Sequence, residues 1–171
     1  MAKVLEELRP SAAYETDGYS WALEQAALLR ARRFDRIDVE NIAEEIESLG
    51  KSLANELRSR YGTLLTHLLK WQFQPERRFY GWTGTIRRER GAIAKHLRDN
   101  PGLKPRRAEL FEDAYPEARQ QAVVETNLPP ERFPEACPYS LEQAMDPEFW
   151  PGGREMPVRV AASRRGRKIT L

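Results

Sequence analysis

Cysteine is almost missing from this chain: Cys137, set in Ala-Cys-Pro-Tyr, is the only one. One thiol closes no internal disulfide and cannot build a cysteine zinc site, so a reducing cytoplasm is the expected setting. Histidine is scarce as well, with His67 and His96 alone. Neither lies in an H-E-x-x-H, and no glycine-rich phosphate loop precedes a helix, so no catalytic residue, metal or cofactor is assigned. Cys137 has no histidine close in sequence and reads as a packed small hydrophobe. No stretch approaches the roughly 18 apolar residues of a membrane span, and the opening MAKVLEELRPSAAYETDGYS lacks the apolar core of a signal peptide. The expectation is a soluble cytoplasmic protein without a membrane partner. Net charge is only +2, so any pull on an anionic partner has to come from local clustering.

What the chain does have is helical periodicity. With 171 residues, 40% of them hydrophobic, it is long enough for one domain with a sizeable core. Ile42, Ile46, Leu49, Leu53, Leu57, Tyr61, Leu64, Leu68 and Trp71 follow one another at steps of three and four, the α-helical repeat. One amphipathic helix is expected from Asp38 to Phe73. Its 36 residues would reach about 54 Å at the helical rise. Asp38 suits its N-cap, and Glu40, Glu44, Glu45 and Glu47 lie near its positive end.

Before it, Trp21, Gln25, Leu28 and Leu29 predict a first helix over about 17–33, capped by Asp17 or Ser20. After it, Gln74 to Gly81 make a turn. A paired helix follows over about 82–99, with Trp82, Ile86, Ile93 and Leu97 on one stripe and Asn100-Pro101-Gly102 as its stop. Pro105 opens a further helix carrying Phe111, Ala114, Tyr115, Ala118 and Ala122, and Pro116 inside it predicts a kink or a restart. The proline-rich, aromatic run after Leu128 reads as an ordered strap over the core. Within it, Ser140 and Gln143 form a capping box for a short helix. The expected fold is therefore all-α: a single-domain helical bundle organised around one long helix paired with a second. It divides into an N-terminal arm (1–13), a helical domain (14–151) that ends in the aromatic strap, and a flexible basic tail (152–171).

Several motifs carry a resemblance. They are Tyr14, Asp17 and Trp21; Ile42-Ala43-Glu44-Glu45-Ile46 with Leu49-Gly50; and His67-Leu68-Leu69-Lys70-Trp71. Further on come Trp82 with Thr85-Ile86, Ala114-Tyr115 with Ala118-Arg119, and Cys137-Pro138-Tyr139 leading to Phe149-Trp150-Pro151. In this order they resemble the bacterial family catalogued as domain of unknown function twenty-nine. The resemblance covers about residues 14–151. It implies a helical, stand-alone domain and leaves the activity open. The chain departs from the pattern at Pro116, and the tail after Pro151 lies outside it.

Charge is segregated along the central hairpin. From Arg58 to Arg98 there are ten Lys/Arg against two acids, a net of +8, whereas Asp38 to Glu47 holds five acids and no base. Aromatics interleave with the arginines near the turn, a composition suited to gripping phosphate while rings stack on bases. Lys70, Arg77, Arg78, Tyr80, Arg87 and Arg88 are the candidate contacts for an anionic ligand, with nucleic acid the first class considered. The competing reading of the same residues is a solvated face. A second set, Glu45, Glu56, Arg60, His67 and Arg90, forms a polar row read as an internal network, with Arg90 pairing to a carboxylate of the long helix. Glu45, Glu56 and His67 are each 11 residues apart, about 16.5 Å along a helix, so they cannot share one metal ion. The functional reading is a non-enzymatic binding module. Its alternative is a small regulatory protein that binds a partner protein or forms a homodimer through the long helix.

Overall fold

The structure is a computed structural model and describes residues 14–154. Over that span it is helical throughout, with no strand among the described residues. The helices are α1 (Gly18–Arg30), α2 (Val39–Phe73), α3 (Tyr80–Asp99), α4 (Arg107–Thr126) and α5 (Leu141–Met145), with short 3-10 turns between them. Packing divides the chain into two compact units, one ending at Ser52 and the other beginning at Leu53. The expected arm at 1–13, and all of the expected tail from residue 155 onward, lie outside the described residues.

In the first unit, Asp17 caps α1 by accepting from the Ser20 amide at 3.0 Å. The helix stops at Arg30, three residues earlier than the sequence pattern suggests. Arg32 adopts a left-handed conformation (φ 55°), so that its amide reaches Leu29 O at 3.0 Å and the Arg33 amide reaches Leu28 O at 2.9 Å. This is a Schellman turn with arginine where glycine is usual, a substitution that costs about 1–2 kcal/mol. Without a glycine to mark it, the stop is not visible in the sequence. Asp38 then joins α1 to α2. Its carboxylate accepts from the Asn41 amide (3.3 Å), Asn41 Nδ2 (2.7 Å) and Trp21 Nε1 (3.2 Å), and its own amide donates to Gln25 Oε1 (2.8 Å). The hydrogen bonds from Asn41, ahead of that from Trp21, hold the Asp38 carboxyl below its ordinary range.

The stripe of α2 behaves differently along its length. Ile42 is half-buried, but Ile46 and Leu49 are 66% and 62% exposed. Within its unit α1 buries only Trp21, Gln25 and Leu28, three side chains that can cover no more than a short stretch of the neighbouring helix. The continuous seam expected from Ile42 is therefore closed only from Leu57 onward.

In the second unit that seam forms one core. Leu57, Tyr61, Leu64, Leu65, Leu68, Leu69 and Trp71 of α2 pack with Trp82, Ile86 and Ile93 of α3 and with Leu110, Phe111, Ala114, Tyr115, Ala118 and Ala122 of α4. Tyr61 meets Phe111 edge-on at 5.4 Å. α4 runs without a restart through Pro116. Pro116 and Glu112, whose carbonyl loses its helical donor, both belong to exposed positions, where water can replace that donor. Asn127, left-handed at φ 57°, ends the helix, and the expected capping box starts α5.

The strap is as much a hydrogen-bonding structure as an apolar one. Proline-rich backbone has carbonyls but few amides to pair with them, and buried carbonyls need donors. Three arginines supply these. Arg90 donates to the carbonyls of Ala144 (2.7 Å), Pro147 (3.4 Å) and Phe149 (2.8 Å). Arg119 donates to Phe133 (3.1 Å) and Pro130 (2.9 Å). Arg78 joins Trp71 O (2.9 Å) to Pro151 O (3.4 Å) and Gly152 O (3.2 Å). Tyr115 and Tyr139 add bonds to Pro134 O (2.6 Å) and Gln72 Oε1 (2.7 Å). Gly152 and Gly153, at φ 72° and 86°, turn the chain back so that Gly153 O accepts from Trp71 Nε1 at 2.9 Å. The strap therefore extends past Pro151 into residues that the sequence pattern assigns to the tail.

Arg90 is buried, as its place on the stripe edge suggests, but its partners are strap carbonyls and not a carboxylate of α2. Replacing Arg90 with alanine leaves up to three carbonyls without donors, and the expected loss is roughly 2–4 kcal/mol. Urea unfolding followed by tryptophan fluorescence measures it. A loss under about 0.5 kcal/mol, the size of an ordinary surface substitution, would show that the strap is held without this residue.

Candidate functional site

Folding sorts the basic cluster into two groups. Lys70 and Arg78 go inside. Lys70 pairs with Glu125 of α4 and lies over the Trp82 ring at 4.8 Å. Arg78 lies over Trp71 at 4.6 Å while it holds the strap. Arg77, Tyr80, Arg87 and Arg88 are exposed. Arg88 pairs with Glu89 at 3.0 Å, whereas Arg77 and Arg87 close no ion pair among the described residues. Two of the six candidate ligand contacts thus act within the fold, and four face outward.

Of the outward group, Tyr80 and Arg87 line a cleft of about 160 Å³ together with Trp71, Thr83, Trp150 and Arg154. Its floor is aromatic, with the Trp71 and Trp150 rings 4.9 Å apart. Three guanidinium groups surround Trp150, those of Arg87 at 5.9 Å and of Arg90 and Arg154 at 5.6 Å each. The Trp150 indole N–H is buried with no hydrogen-bond partner among the described residues. Arg154 also pairs with Glu148 at 3.0 Å. Tyr80 stands at the edge, 81% exposed. A cleft this small does not enclose a drug-sized molecule. It can take one planar or phosphate group of a longer chain, with cations at its rim and a π-face beside them. Trp150 and Arg154 are cleft residues that the sequence reading missed. Trp150 was visible as an aromatic of the strap, but nothing local says that it meets Trp71.

The polar row separates into distinct pieces. Glu45, in the first unit, accepts from the Tyr14 hydroxyl at 2.5 Å. Glu56, Arg60, Glu89 and Arg88 form a chain of ion pairs between α2 and α3. Arg60 is 2.8 Å from Glu56 and 3.4 Å from Glu89, and the hydrogen bonds from Arg60 hold the Glu56 carboxyl low. His96 joins this chain, with Nε2 at 2.9 Å from Leu53 O and Nδ1 at 3.7 Å from Glu56. Glu89 and His96 were not singled out from sequence, because each reaches its partner across two helices.

His67 belongs elsewhere, in a groove of about 340 Å³ between α2 and α4. Gly62, Ala114 and Ala118 keep the helix backbones uncovered there. His67 Nδ1 lies 2.9 Å from Thr63 O, which places the hydrogen on Nδ1 and leaves Nε2 as an acceptor. Burial lowers the His67 pKa. Burial alone would raise Glu125, but hydrogen bonds from Lys70 and Gln121 outweigh it and bring the carboxyl below its ordinary value. The groove's charges are matched internally, Lys70 with Glu125 and Arg58 with Glu117 at 3.2 Å, so it offers a charged ligand less than the cleft does. Cys137 is half-buried, hydrogen-bonded to Tyr139 O at 3.4 Å, and burial pushes its thiol pKa up, away from nucleophilic reactivity.

The sign of the His67 effect on stability follows from linkage. Between its lowered folded value and its ordinary 6.5, the unfolded chain binds the extra proton, so stability falls as pH drops through that window. The lowered carboxylates Glu56 and Glu125 act further down, below their ordinary 4.5. His67→Gln is expected to flatten the decline in melting temperature between about pH 7.5 and pH 5.5 without changing the loss below about pH 4.5. An unchanged slope in the upper window would remove His67 from the account.

No curated protein and no solved structure matches this chain. The model of the family described as Domain of unknown function DUF29 matches residues 13–150, a span that takes in α1 through α5 and the strap as far as Trp150. With that match covering well over half of the 171 residues, the chain belongs to the DUF29 family.

Proposed function

We propose that the protein is a non-enzymatic binding module that takes single-stranded nucleic acid at the cleft formed by Tyr80, Thr83, Arg87 and Arg154. The observation that carries the reading is Tyr80. A tyrosine 81% exposed, lining one cleft with Arg87, which closes no ion pair among the described residues, and with the paired tryptophans, gives a base a face to stack on and its phosphate a guanidinium fork. The size of the cleft favours one group of an extended chain over a whole small molecule. Arg88 is tied to Glu89 and does not line the cleft. Lys70 and Arg78 support it from below by holding Trp82 and Trp71.

Fluorescence anisotropy with labelled oligouridylate and oligothymidylate tests the reading. Tyr80→Ala is expected to weaken binding about tenfold, the size of one lost stacking contact. Arg87→Gln is expected to make the slope of log affinity against log salt shallower by about 0.7. An absence of binding at low ionic strength would remove nucleic acid as the ligand.

A second reading has its own observation. Tyr19, Leu23, Phe34, Val39, Ile46 and Leu49 of the first unit are all exposed, more apolar surface than a short helical segment ordinarily leaves in water. A second copy of the chain covering this surface would make the protein a homodimer. Light scattering coupled to size exclusion separates the two readings: a dimer that Ile46→Glu with Leu49→Glu converts to monomer supports association, and a monomer at every concentration dismisses it.

A further inference from the structure

Away from the cleft, at the other end of α3, a pocket of about 300 Å³ opens between α3, the turn into α4, and α5. Its walls are apolar, formed by Ala94 and Leu97 of α3 and by Leu141 and Met145 at α5. Arg98, Lys104 and Arg107 stand around it. All three are exposed, and none closes an ion pair among the described residues. Glu142 is the one acid lining the pocket, and Asp99, next to Arg98, is already taken by Lys95. An apolar hollow with a surplus of unpaired cations is complementary to a molecule that carries a negative charge on a hydrocarbon body.

The floor supplies the second observation. Tyr61 is 0% exposed, and its hydroxyl is buried with no hydrogen-bond partner among the described residues. Tyr115 and Tyr139, the other buried tyrosines of this core, both place their hydroxyls on an acceptor. Phenylalanine would fill the site of Tyr61 without burying an orphaned donor, so packing alone does not account for the oxygen. Burial pushes the Tyr61 pKa up to about 12, with Arg107 pulling against it. The hydroxyl therefore carries its proton at neutral pH, as a donor within the electrostatic reach of Arg107.

We infer that this pocket binds a small amphipathic carboxylate. Its carboxylate is taken by Arg107, with Arg98 or Lys104, and by the Tyr61 hydroxyl, and its hydrocarbon chain lies against Leu97, Leu141 and Met145. In the unliganded pocket the hydroxyl is closed to water. A ligand oxygen reaches it when lining side chains shift, and Met145, unbranched and adaptable, is one of that lining. The site is independent of the nucleic-acid reading and shares no residue with the cleft.

Calorimetric titration with octanoate tests this, with octanol as the uncharged tail and butanoate as the charge with little tail. Octanoate is expected to bind saturably at one site, and each control about tenfold or more weaker, the size of one missing charged or apolar contribution. Tyr61→Phe is expected to weaken octanoate about tenfold and to leave the unliganded melting temperature equal or higher, because it removes an unpartnered buried donor. Arg107→Gln, at an exposed position, is expected to weaken it by a similar factor while folding normally. Tyr80→Ala is expected to leave it unchanged, so that failure here and failure of the nucleic-acid reading are read separately. Absence of saturable heat overturns the proposal. So does octanol or butanoate binding as tightly as octanoate, and so does full affinity in both Tyr61→Phe and Arg107→Gln.

Discussion

Guanidinium groups donating to main-chain carbonyls are the interaction on which the second unit depends. From Leu128 to Gly153 the chain forms one α-helix of five residues, a 3-10 turn at Pro130–Arg132 and no sheet, so most of its backbone has no regular partner. Arg78, Arg90 and Arg119 reach this segment from the hairpin turn, α3 and α4, and each holds two or more carbonyls in a fixed fork. With its backbone satisfied, the strap can bury Phe133, Tyr139, Ala144 and Trp150 in the core. Burial and hydrogen bonding are coupled here, because the apolar side chains cannot be delivered unless the carbonyls between them are paired.

That constraint also explains the form of the surface. Holding the strap draws Arg78 and Arg90 inside, brings Trp150 against Trp71, and leaves Arg87 and Tyr80 outside on the same end of the hairpin. The cleft is thus a consequence of closing the strap: its floor is structural, and at its rim Arg154 pairs with Glu148 while Arg87 closes no ion pair among the described residues. The same division appears at the other end of α3, where α5, delivered by the strap, supplies Leu141 and Met145 to the pocket above Tyr61. Charge matched within the chain, as in Lys70 with Glu125 or Arg60 with Glu56 and Glu89, is held by its partner, whereas Arg77, Arg87, Arg98, Lys104 and Arg107 close no ion pair among the described residues.

Much of the fold can be read locally. The long helix with its Asp38 cap, the capping box at Ser140, the turn after Phe73 and the ordered character of the strap all follow from periodicity and from side chains acting within a few residues of themselves. Where that reading stops short, a local rule is overridden. Arg32 accepts a left-handed conformation without glycine, and α4 continues past Pro116 on its solvated side. Candidate-site residues were legible by type and not by destination: Arg87 and Tyr80 reach the rim, while Lys70 and Arg78, of the same charge and nearly the same sequence neighbourhood, do not.

What the sequence by itself determined is the set of helices, most of their ends (the stop of α1 excepted) and the apolar stripe of each, because these depend on contacts three or four residues apart. Which basic side chains are held inside the fold and which meet solvent was decided only by the tertiary structure. Their partners lie far along the chain, Glu125 for Lys70, Phe149 for Arg90 and Gly152 for Arg78. A charged side chain's energy depends on whether such a partner replaces the hydration it loses on burial.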